Sequence, residues 1–283
     1  MKILITGSAG FVGKNLFSSL NKNYEVYGIS RRASTTTTHQ ADITSLKIFE
    51  ILDIINPNII MHCAALSNVD FCEEHRAEAI MTNIIGTHNI VSWAAMHHAK
   101  IIYISSDYVY AGETDGYNEE SETKPVNFYG EIKLISEKLV SEISGSVILR
   151  PTVVFGYDIG GNNFLMQMLS LKEKRKIPRD QWSNPTDVRI LCDYVREAII
   201  KNIEGTYVAT GPETLDRYSF ALLIADVFGI NKELLQPVVT ETLHQKAKRP
   251  LHNGTDSSRI RSLISYSCPS VRTSLEDIKK KLS

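Results

Sequence analysis

A glycine-rich turn between a strand and a helix at the start of the chain restricts the fold more than any other feature. Lys2 to Thr6 is a short apolar run typical of a buried strand, and the segment from Phe11 to Asn21 has the apolar spacing of a helix. Glycines in such a turn allow close approach of a diphosphate, and the helix N-terminus attracts phosphate. The turn therefore predicts a dinucleotide site, with a plain strand-to-helix turn as the alternative; its residues are Gly7, Gly10, Phe11, Val12 and Gly13.

The first half of the chain alternates strand-like and helix-like segments, which indicates an α/β fold with a Rossmann-like doubly wound parallel sheet. Further strands are predicted at Glu25 to Ser30, Ile59 to His62, Ile101 to Ser105 and Val147 to Arg150. The alternation weakens after Arg150, where prolines and a glycine-asparagine loop interrupt the pattern. We therefore expect a nucleotide-binding domain over 1–150 that carries the catalytic residues. Residues 151–283 are expected to be mainly a smaller substrate-binding portion, with some segments returning to the first domain.

Composition excludes several classes of partner. The 31 Lys and Arg residues balance 32 Asp and Glu residues, so no net charge draws the chain toward nucleic acid or an anionic membrane. The four cysteines are scattered, which predicts neither a disulfide framework nor a zinc site, and no other metal site is evident. No signal peptide or membrane span is apparent. We expect a cytoplasmic protein whose partners are small molecules or like subunits.

The residues after the second predicted strand bear on the choice of cofactor. NAD enzymes usually place a carboxylate there for the ribose 2'-hydroxyl, whereas arginine suits the 2'-phosphate of NADP. This chain has Arg31 and Arg32 at that point. NADP(H) is therefore the preferred cofactor and NAD(H) remains possible, because two arginines can also belong to a solvated loop. Asp42 follows soon after and could contact the cofactor, cap a helix, or do both.

Three side chains suggest proton-transfer chemistry. Tyr129 and Lys133 are four residues apart, so a helix would place both on one face. With 12 tyrosines in the chain, one such pair is expected by chance, and the context matters more than the pair. Ser106 follows a predicted strand, at the sheet edge where doubly wound folds bind ligands. Each residue also has a structural alternative: Ser106 can be a strand-end cap, Tyr129 a half-buried helix residue and Lys133 a solvated side chain.

The chemistry explains why these residue types occur together. Free tyrosine titrates near pH ~10, and a neighbouring cation such as Lys133 would lower that pKa. In a reduction, Tyr129 would donate a proton to a carbonyl oxygen while Ser106 donates a hydrogen bond to the developing oxyanion. Ser106, Tyr129 and Lys133 are therefore the candidate catalytic residues.

Several segments resemble the dTDP-4-dehydrorhamnose reductase-like group of extended short-chain dehydrogenases over nearly the whole chain. They are the Gly-x-x-Gly-x-x-Gly turn, His62-Cys63-Ala64-Ala65, Ser106-Asp107-Tyr108-Val109-Tyr110, Leu149-Arg150-Pro151-Thr152, Asp180-Gln181-Trp182-Ser183-Asn184-Pro185-Thr186 and Arg249-Pro250. The resemblance implies that Asp42 with Ile43, Ala64 with Ala65, and Tyr129 with Lys133 contact the cofactor. It also implies that Asp107, Tyr108 and Gln181 lie near a nucleotide sugar. Small residues at a strand end can instead serve packing, and Gln181 can be a loop residue.

Two departures from the family pattern refine the expected activity. Rhamnose-forming members carry Trp where this chain has Val153, so Val153 predicts a different hexose or a differently shaped pocket. Dehydratases of the wider family place Asp-Glu after the catalytic Ser or Thr, whereas this chain has Asp107-Tyr108. Elimination of water needs an additional acid and base, so the missing carboxylate favours reduction.

The resemblance implies NADPH-dependent reduction of the 4-keto group of a nucleotide-linked 4-keto-6-deoxy sugar, in deoxysugar biosynthesis. Two alternatives stay open. One is a nucleotide-sugar epimerase of the same fold; the other is a noncatalytic subunit like the regulatory subunit of methionine adenosyltransferase. A homodimer formed through the apolar segment Ile84 to Met96 is possible, although the same residues could pack on the sheet.

Overall fold

A parallel β-sheet of seven strands forms the centre of the molecule in a computed structural model that describes residues 1–282. These residues form thirteen strands: β1 (Lys2–Thr6), β2 (Glu25–Ser30), β3 (His39–Gln40), β4 (Ile59–His62), β5 (Lys100–Ile104), β6 (Val147–Arg150), β7 (Val154–Phe155), β8 (Arg175–Pro178), β9 (Trp182–Ser183), β10 (Thr186–Asp187), β11 (Gly205–Val208), β12 (Leu215–Asp216) and β13 (Leu235–Val238). The central sheet has the order β11-β6-β5-β4-β1-β2-β3 with every pair parallel. This is the predicted Rossmann-like sheet.

Helices cover both faces of the sheet. Residues 1–282 form eleven α-helices: α1 (Phe11–Leu20), α2 (Ile48–Ile55), α3 (Val69–Glu74), α4 (Arg76–Ile80), α5 (Gly86–His97), α6 (Phe128–Ser141), α7 (Phe164–Leu169), α8 (Val188–Ile200), α9 (Arg217–Phe228), α10 (Ser258–Arg261) and α11 (Val271–Lys280). Successive strand residues point to opposite faces. Ile3 and Ile5 therefore pack with α1 and α8, whereas Leu4 packs with α2, α5 and α6.

The strand order reverses between β1 and β4, which places their carboxyl ends side by side. Thr6 pairs in register with His62, and the Thr6 hydroxyl lies 2.7 Å from Nδ1 of His62. The Thr6 hydroxyl also accepts a hydrogen bond from the backbone N–H of Ala64, at 3.2 Å. Burial lowers the pKa of His62 to about 3, so this ring is neutral and structural. Open sheets bind ligands at such a switch point.

The predicted elements of the first half agree closely with the structure. Four of the five predicted strands have the observed bounds, and the fifth is displaced by one residue, to Lys100–Ile104. The first helix ends at Leu20, one residue earlier than expected. β1 and β4 are buried on both faces because the sheet is covered on both sides.

The second half of the chain builds a separate apolar cluster and also returns to the sheet. Phe155, Phe220 and Leu275 belong to this cluster, which joins α7, α9 and α11. β11 pairs with β6 and completes the central sheet, while α8 contacts α1. The division near residue 150 stays a prediction, since these returning elements tie the two halves together. Within residues 1–282, no helix is long and apolar enough to cross a membrane.

Candidate active site

The turn after β1 has a backbone that requires its glycines. Gly7 has a φ of +68°, and a Cβ there would lie 2.8 Å from the backbone of Ala64. A Cβ on Gly13 would lie 2.3 Å from the carbonyl oxygen of Gly7. Gly10 precedes α1 and supplies no side-chain cap. The first N–H groups of α1 therefore remain available to an anionic ligand.

A cleft opens at the switch point between β1 and β4. Eight of the predicted cofactor residues line it: Gly7, Gly10, Arg31, Arg32, Asp42, Ile43, Ala64 and Ala65. Its remaining lining residues are Ile29, Ser30, Ala41, Cys63 and Thr82. The small glycine and alanine residues leave room for a flat ligand, and the exposed Arg31 and Arg32 add positive charge to the cleft. The cleft thus fits a phosphorylated dinucleotide in shape and charge.

Three other predicted cofactor residues shape the turn instead of lining this cleft. Val12 packs against the core cluster beside β1. Gly13 is buried against the carbonyl of Gly7. The Phe11 ring lies beside Gly156, where an added Cβ would be 3.0 Å from the ring. These residues position the N-terminus of α1.

Asp42 does not cap a helix. Its Oδ1 accepts hydrogen bonds from the backbone N–H and the hydroxyl of Thr44, both at 2.9 Å, which forms a tight local turn. The residue before α2 is Lys47, and no side chain caps that helix. Of the two roles left open for Asp42, the structure excludes the helix cap and leaves the side chain at the cleft.

Thr82 belongs to the cleft although sequence reasoning missed it. It lies in a one-turn π-helix over Met81–Ile85, between α4 and α5. Such turns are frequent at functional sites. The neighbouring Asn83 is buried, and its amide exchanges two hydrogen bonds with the backbone of Leu66, at 2.7 and 3.0 Å. The sequence carries no local signal for this π-helix, because the apolar spacing continues through it.

The candidate catalytic residues meet at the carboxyl end of β5, one strand along from the cleft. Ser106 follows β5, and its Oγ accepts from the N–H of Tyr108 at 3.2 Å, at the start of a short 3-10 turn. Tyr129 and Lys133 lie on α6, whose first turn is capped by Asn127. A Cβ on Gly130 would lie 2.2 Å from the carbonyl oxygen of Tyr108. Glycine at position 130 therefore lets α6 approach this turn.

Burial has the largest effect on the pKa of Tyr129. Burial raises its pKa well above 10, and the nearby Cys72 thiol and Asp107 carboxyl act in the same direction, while the Ser106 side chain opposes them. The sequence predicts that Lys133 lowers the pKa of Tyr129, but the net shift of that pKa is upward. The Lys133 ammonium donates instead to the carbonyl of Ile104 at 2.6 Å. Tyr129 is consequently a protonated phenol at neutral pH, as a proton donor must be.

Lys133 also has a shifted pKa. It is 1% exposed, and its Nζ lies 4.1 Å from the centre of the Tyr103 ring. Burial lowers its pKa to about 7, although the nearby charge of Glu137 opposes the shift. Glu137 is held by Arg150 through two hydrogen bonds of 2.7 and 3.0 Å. A lysine with such a pKa can exchange a proton near neutral pH.

Asp107 and Tyr108 lie next to the candidate catalytic residues. Asn253, far along the chain, donates to the Asp107 carboxylate at 2.7 Å, and burial raises the pKa of Asp107 to about 6. The Tyr108 ring meets the Tyr129 ring edge to face, with centroids 5.9 Å apart. Both predicted substrate residues thus lie beside the candidate proton donor. Asn253 was not predicted, because nothing in its local sequence marks it.

The other two predicted substrate residues have different surroundings. Val153 has a φ of +42°, an unfavourable conformation for a β-branched residue and one that often marks a functional site. It packs against the apolar cluster of the second half. The amide of Gln181 donates to Thr240 and Gln245, at 3.1 and 3.0 Å. Gln181 is therefore engaged in holding the loop that contains those two residues.

A metal centre has no obvious ligands in the part of the chain that the structure describes. No group of three or more His, Cys, Asp or Glu side chains is arranged to hold an ion there. Cys63 lines the cleft, and burial raises the pKa of its thiol to about 12, so it is protonated at neutral pH. The site offers acid–base groups and hydrogen-bond donors around a cleft.

Comparisons with known proteins agree with this geometry. The model of the RmlD substrate binding domain family matches residues 1–283. A dTDP-4-dehydrorhamnose reductase of Aggregatibacter actinomycetemcomitans is 30% identical over 98% of both chains. Methionine adenosyltransferase 2 subunit beta of Bos taurus is also 30% identical, over 93% of this chain and 82% of its own.

A solved structure shows the same arrangement along the whole chain. The dTDP-4-dehydrorhamnose reductase of Bacillus anthracis, in complex with NADP, superimposes with a TM-score of 0.89, at 30% identity and 99% coverage of both chains. The sheet order, the glycine turn and the full-length match lead to one conclusion. This chain belongs to the RmlD substrate binding domain family, within the extended short-chain dehydrogenases.

Proposed function

We propose that this protein is a reductase that uses NADPH to convert the 4-keto group of a nucleotide-linked 4-keto-6-deoxy sugar into a hydroxyl. One observation carries the proposal: Ser106 and Tyr129 lie at the end of β5, one strand along from the cleft at the switch point. The relatives that are dTDP-4-dehydrorhamnose reductases, one of them in complex with NADP, support it.

The cleft is suited to a dinucleotide. Side chains at Gly7 and Gly13 would collide with neighbouring backbone, and the N-terminus of α1 lacks a side-chain cap. Arg31 and Arg32 would hold the 2'-phosphate of NADPH, and Lys133 would hold the nicotinamide ribose. When bound, the nicotinamide supplies a hydride to the carbonyl carbon of the sugar.

The protein's own side chains would donate the proton to the carbonyl oxygen and stabilise the negative charge that develops there. Tyr129 donates its phenolic proton to the carbonyl oxygen, because burial keeps it protonated until the oxygen becomes basic. The Ser106 hydroxyl, which donates to Asp107 at 3.1 Å in the structure, would turn its hydrogen to the developing oxyanion. Lys133, with a pKa near 7, is suited to return a proton to Tyr129.

The test is the loss of NADPH absorbance when the purified protein meets a dTDP-4-keto-6-deoxyhexose generated in place, with NADH in parallel. We expect oxidation with a preference for NADPH. Tyr129→Phe should lower kcat by roughly 10²- to 10⁴-fold, because general acid catalysis is lost, while retained NADPH binding shows that the variant is folded. The exposed Tyr157 provides the matched control, Tyr157→Phe, which should retain full activity. Full turnover by Tyr129→Phe would contradict the mechanism.

A second candidate is a noncatalytic subunit, favoured by the 30% identity with methionine adenosyltransferase 2 subunit beta. That function predicts NADPH binding without oxidation by any keto sugar, and altered activity when the protein is mixed with a methionine adenosyltransferase catalytic chain. An epimerase of the same fold would isomerise a nucleotide sugar without net cofactor consumption. Analysis of the sugar product therefore separates the reductase from both alternatives.

A further inference from the structure

The side-chain amide of Asn253 donates two hydrogen bonds to Asp107. Its Nδ2 lies 3.1 Å from the backbone carbonyl oxygen of Asp107 and 2.7 Å from the carboxyl oxygen Oδ2. Both residues are buried. A backbone carbonyl oxygen can only accept a hydrogen bond, so the amide has to present its N–H groups, and not its own oxygen, to Asp107. The orientation of the Asn253 amide is therefore fixed whether the Asp107 carboxyl is ionised or not.

The backbone of Asn253 is held as firmly as its side chain. The N–H of Asn253 donates to the carbonyl of Trp182 at 3.2 Å. The N–H of the next residue, Gly254, donates to the Asp115 carboxylate at 3.0 Å. A rigid segment from far along the chain thus positions the amide against Asp107.

The other carboxyl oxygen of Asp107 faces the candidate catalytic residue Ser106. The Ser106 hydroxyl donates to Oδ1 of Asp107 at 3.1 Å, and its Oγ accepts from the N–H of Tyr108 at 3.2 Å. A hydroxyl has one hydrogen to donate. While Asp107 is ionised, it therefore competes with the reacting carbonyl oxygen for the hydrogen of Ser106.

Protonation of Asp107 reverses the direction of this hydrogen bond. Oδ2 receives an N–H of the Asn253 amide, so the proton of the carboxylic acid belongs on Oδ1, where it points at Ser106. The Ser106 Oγ has two lone pairs and can accept from Oδ1 and from the N–H of Tyr108 together. The Ser106 hydrogen is then free to reach the substrate.

Asp107 changes charge at a lower pH than the ionisable groups around it. Burial raises its pKa to about 6, while its hydrogen bonds and the positive charge of Arg217 oppose the rise. Burial also raises the pKa values of Tyr108 and Tyr129, so both phenols stay protonated. Lys133 on α6, with a pKa of about 7, loses its charge at a higher pH.

We propose that Asn253 is a positioning residue that confines the acid proton of Asp107 to Oδ1, so that the carboxylic acid turns the Ser106 hydroxyl toward the carbonyl oxygen of the substrate. This inference rests on the proposed function, because the reacting carbonyl is the acceptor that Ser106 would serve. Asn253 acts through Asp107 and Ser106 and needs no contact with the substrate.

The first experiment uses Asp107→Asn, in which the amide at position 107 imitates the carboxylic acid at every pH. Its oxygen would accept from Asn253, and its NH₂ group would donate to Ser106. Wild-type kcat should fall in two steps as the pH rises, near the pKa values of Asp107 and Lys133, whereas the variant should show only the second step. At pH ~7.5 the variant should exceed wild type by about 3- to 10-fold, since Asp107 weakens one oxyanion donor without removing it. Glu113→Gln, at an exposed carboxylate, should keep both steps.

The second experiment measures the pKa of Asp107 without turnover, by carbon-13 NMR of protein labelled at the aspartate carboxyl carbons. The Asp107 signal is the one that Asp107→Asn lacks. Asn253→Leu should raise this pKa from about 6 to about 7 or above, because the carboxylate loses a charge-assisted hydrogen bond. Asn163→Leu is the control, since it removes an amide that donates to the carbonyl of Gly156 at 2.9 Å.

NADPH binding shows that each variant is folded. If Asn253→Leu does not bind NADPH, the pH profile of Asp107→Asn decides the question. Loss of activity in Asp107→Asn with NADPH binding retained, or an unchanged pKa of Asp107 in folded Asn253→Leu, would overturn the inference. A raised pKa in Asn253→Leu, together with a wild-type protein that reduces no keto sugar, would instead contradict the proposed function and leave the pairing of Asn253 with Asp107 in place.

Discussion

The buried carboxyl of Asp107 makes the stability of the folded protein depend on pH. The folded state raises its pKa from 3.8 to about 6, chiefly by burial. Below pH ~4 the carboxyl is protonated in the folded and the unfolded chain alike, so it has no effect on stability. Between pH ~4 and ~6 the unfolded chain loses its proton first, and the folded state becomes less stable as the pH rises. The full effect is about 3 kcal/mol and persists at neutral pH.

We predict that Asp107→Asn removes this pH dependence. The free energy of unfolding of the variant, relative to wild type, should be greater at pH 7.5 than at pH 4 by up to about 3 kcal/mol, because asparagine carries no charge to desolvate. Urea denaturation at the two pH values measures it. Glu173→Gln, at an exposed carboxylate, should show no such difference. The same stability offset at both pH values would contradict the prediction.

At the scale of elements, the loop between β2 and β3 presents two arginines to the cleft on a fixed backbone. The carbonyl of Arg31 accepts from the Gln40 side chain at 2.7 Å, and that of Arg32 accepts from Thr37 at 3.1 Å. Both arginine side chains are exposed and line the cleft. A rigid backbone with solvated guanidinium groups suits a phosphate that arrives with the cofactor.

Replacing both Arg31 and Arg32 with Ala should weaken NADPH binding by about 10- to 100-fold and NADH binding by less than about 3-fold. The reason is that NADH lacks the 2'-phosphate that the guanidinium groups would contact. Fluorescence titration of the two reduced cofactors measures the difference. Lys22→Ala, which removes an exposed charge elsewhere, is the control. An equal loss of affinity for NADPH and NADH would show that the loop does not bind the 2'-phosphate.

At the scale of the whole molecule, the last third of the chain completes both the sheet and the site. β11 covers the edge of β6, and α8 buries Leu191 and Val195 in the cluster beneath the sheet. Asn253 and Arg249 reach back to Asp107 and Asp70, at 2.7 and 2.9 Å. Removal of this part would expose an apolar face and an open strand edge.

We therefore predict that a fragment of residues 1–150 does not fold like the intact chain, despite containing the glycine turn and the candidate catalytic residues. The full chain should unfold cooperatively in urea and bind NADPH, whereas the fragment should aggregate or unfold without a cooperative transition. Circular dichroism and cofactor titration compare the two. A fragment that unfolds cooperatively and binds NADPH as tightly as the full chain would contradict this and support an autonomous first domain.

Local physical chemistry made much of this fold predictable. Apolar runs fully buried between helix layers, such as β1 and β4, can be identified from their composition alone. The glycine turn and the spacing of Tyr129 and Lys133 are equally local signals, since backbone conformation and helical periodicity depend on near neighbours. Ser106 was predictable because it follows a strand.

The charge states of these groups, and the distant residues that contact them, depend on how the whole chain packs. The upward pKa shift of Tyr129 follows from burial, which depends on packing that no short segment encodes. Asn253 reaches the site from far along the chain, and the left-handed backbone of Val153 is imposed by its surroundings. The sheet, the glycine turn and the pairing of Tyr129 with Lys133 on one helix are predictable from the amino-acid sequence, because the interactions that form them are local. The environment of the reacting groups comes from long-range packing, which only the folded chain establishes.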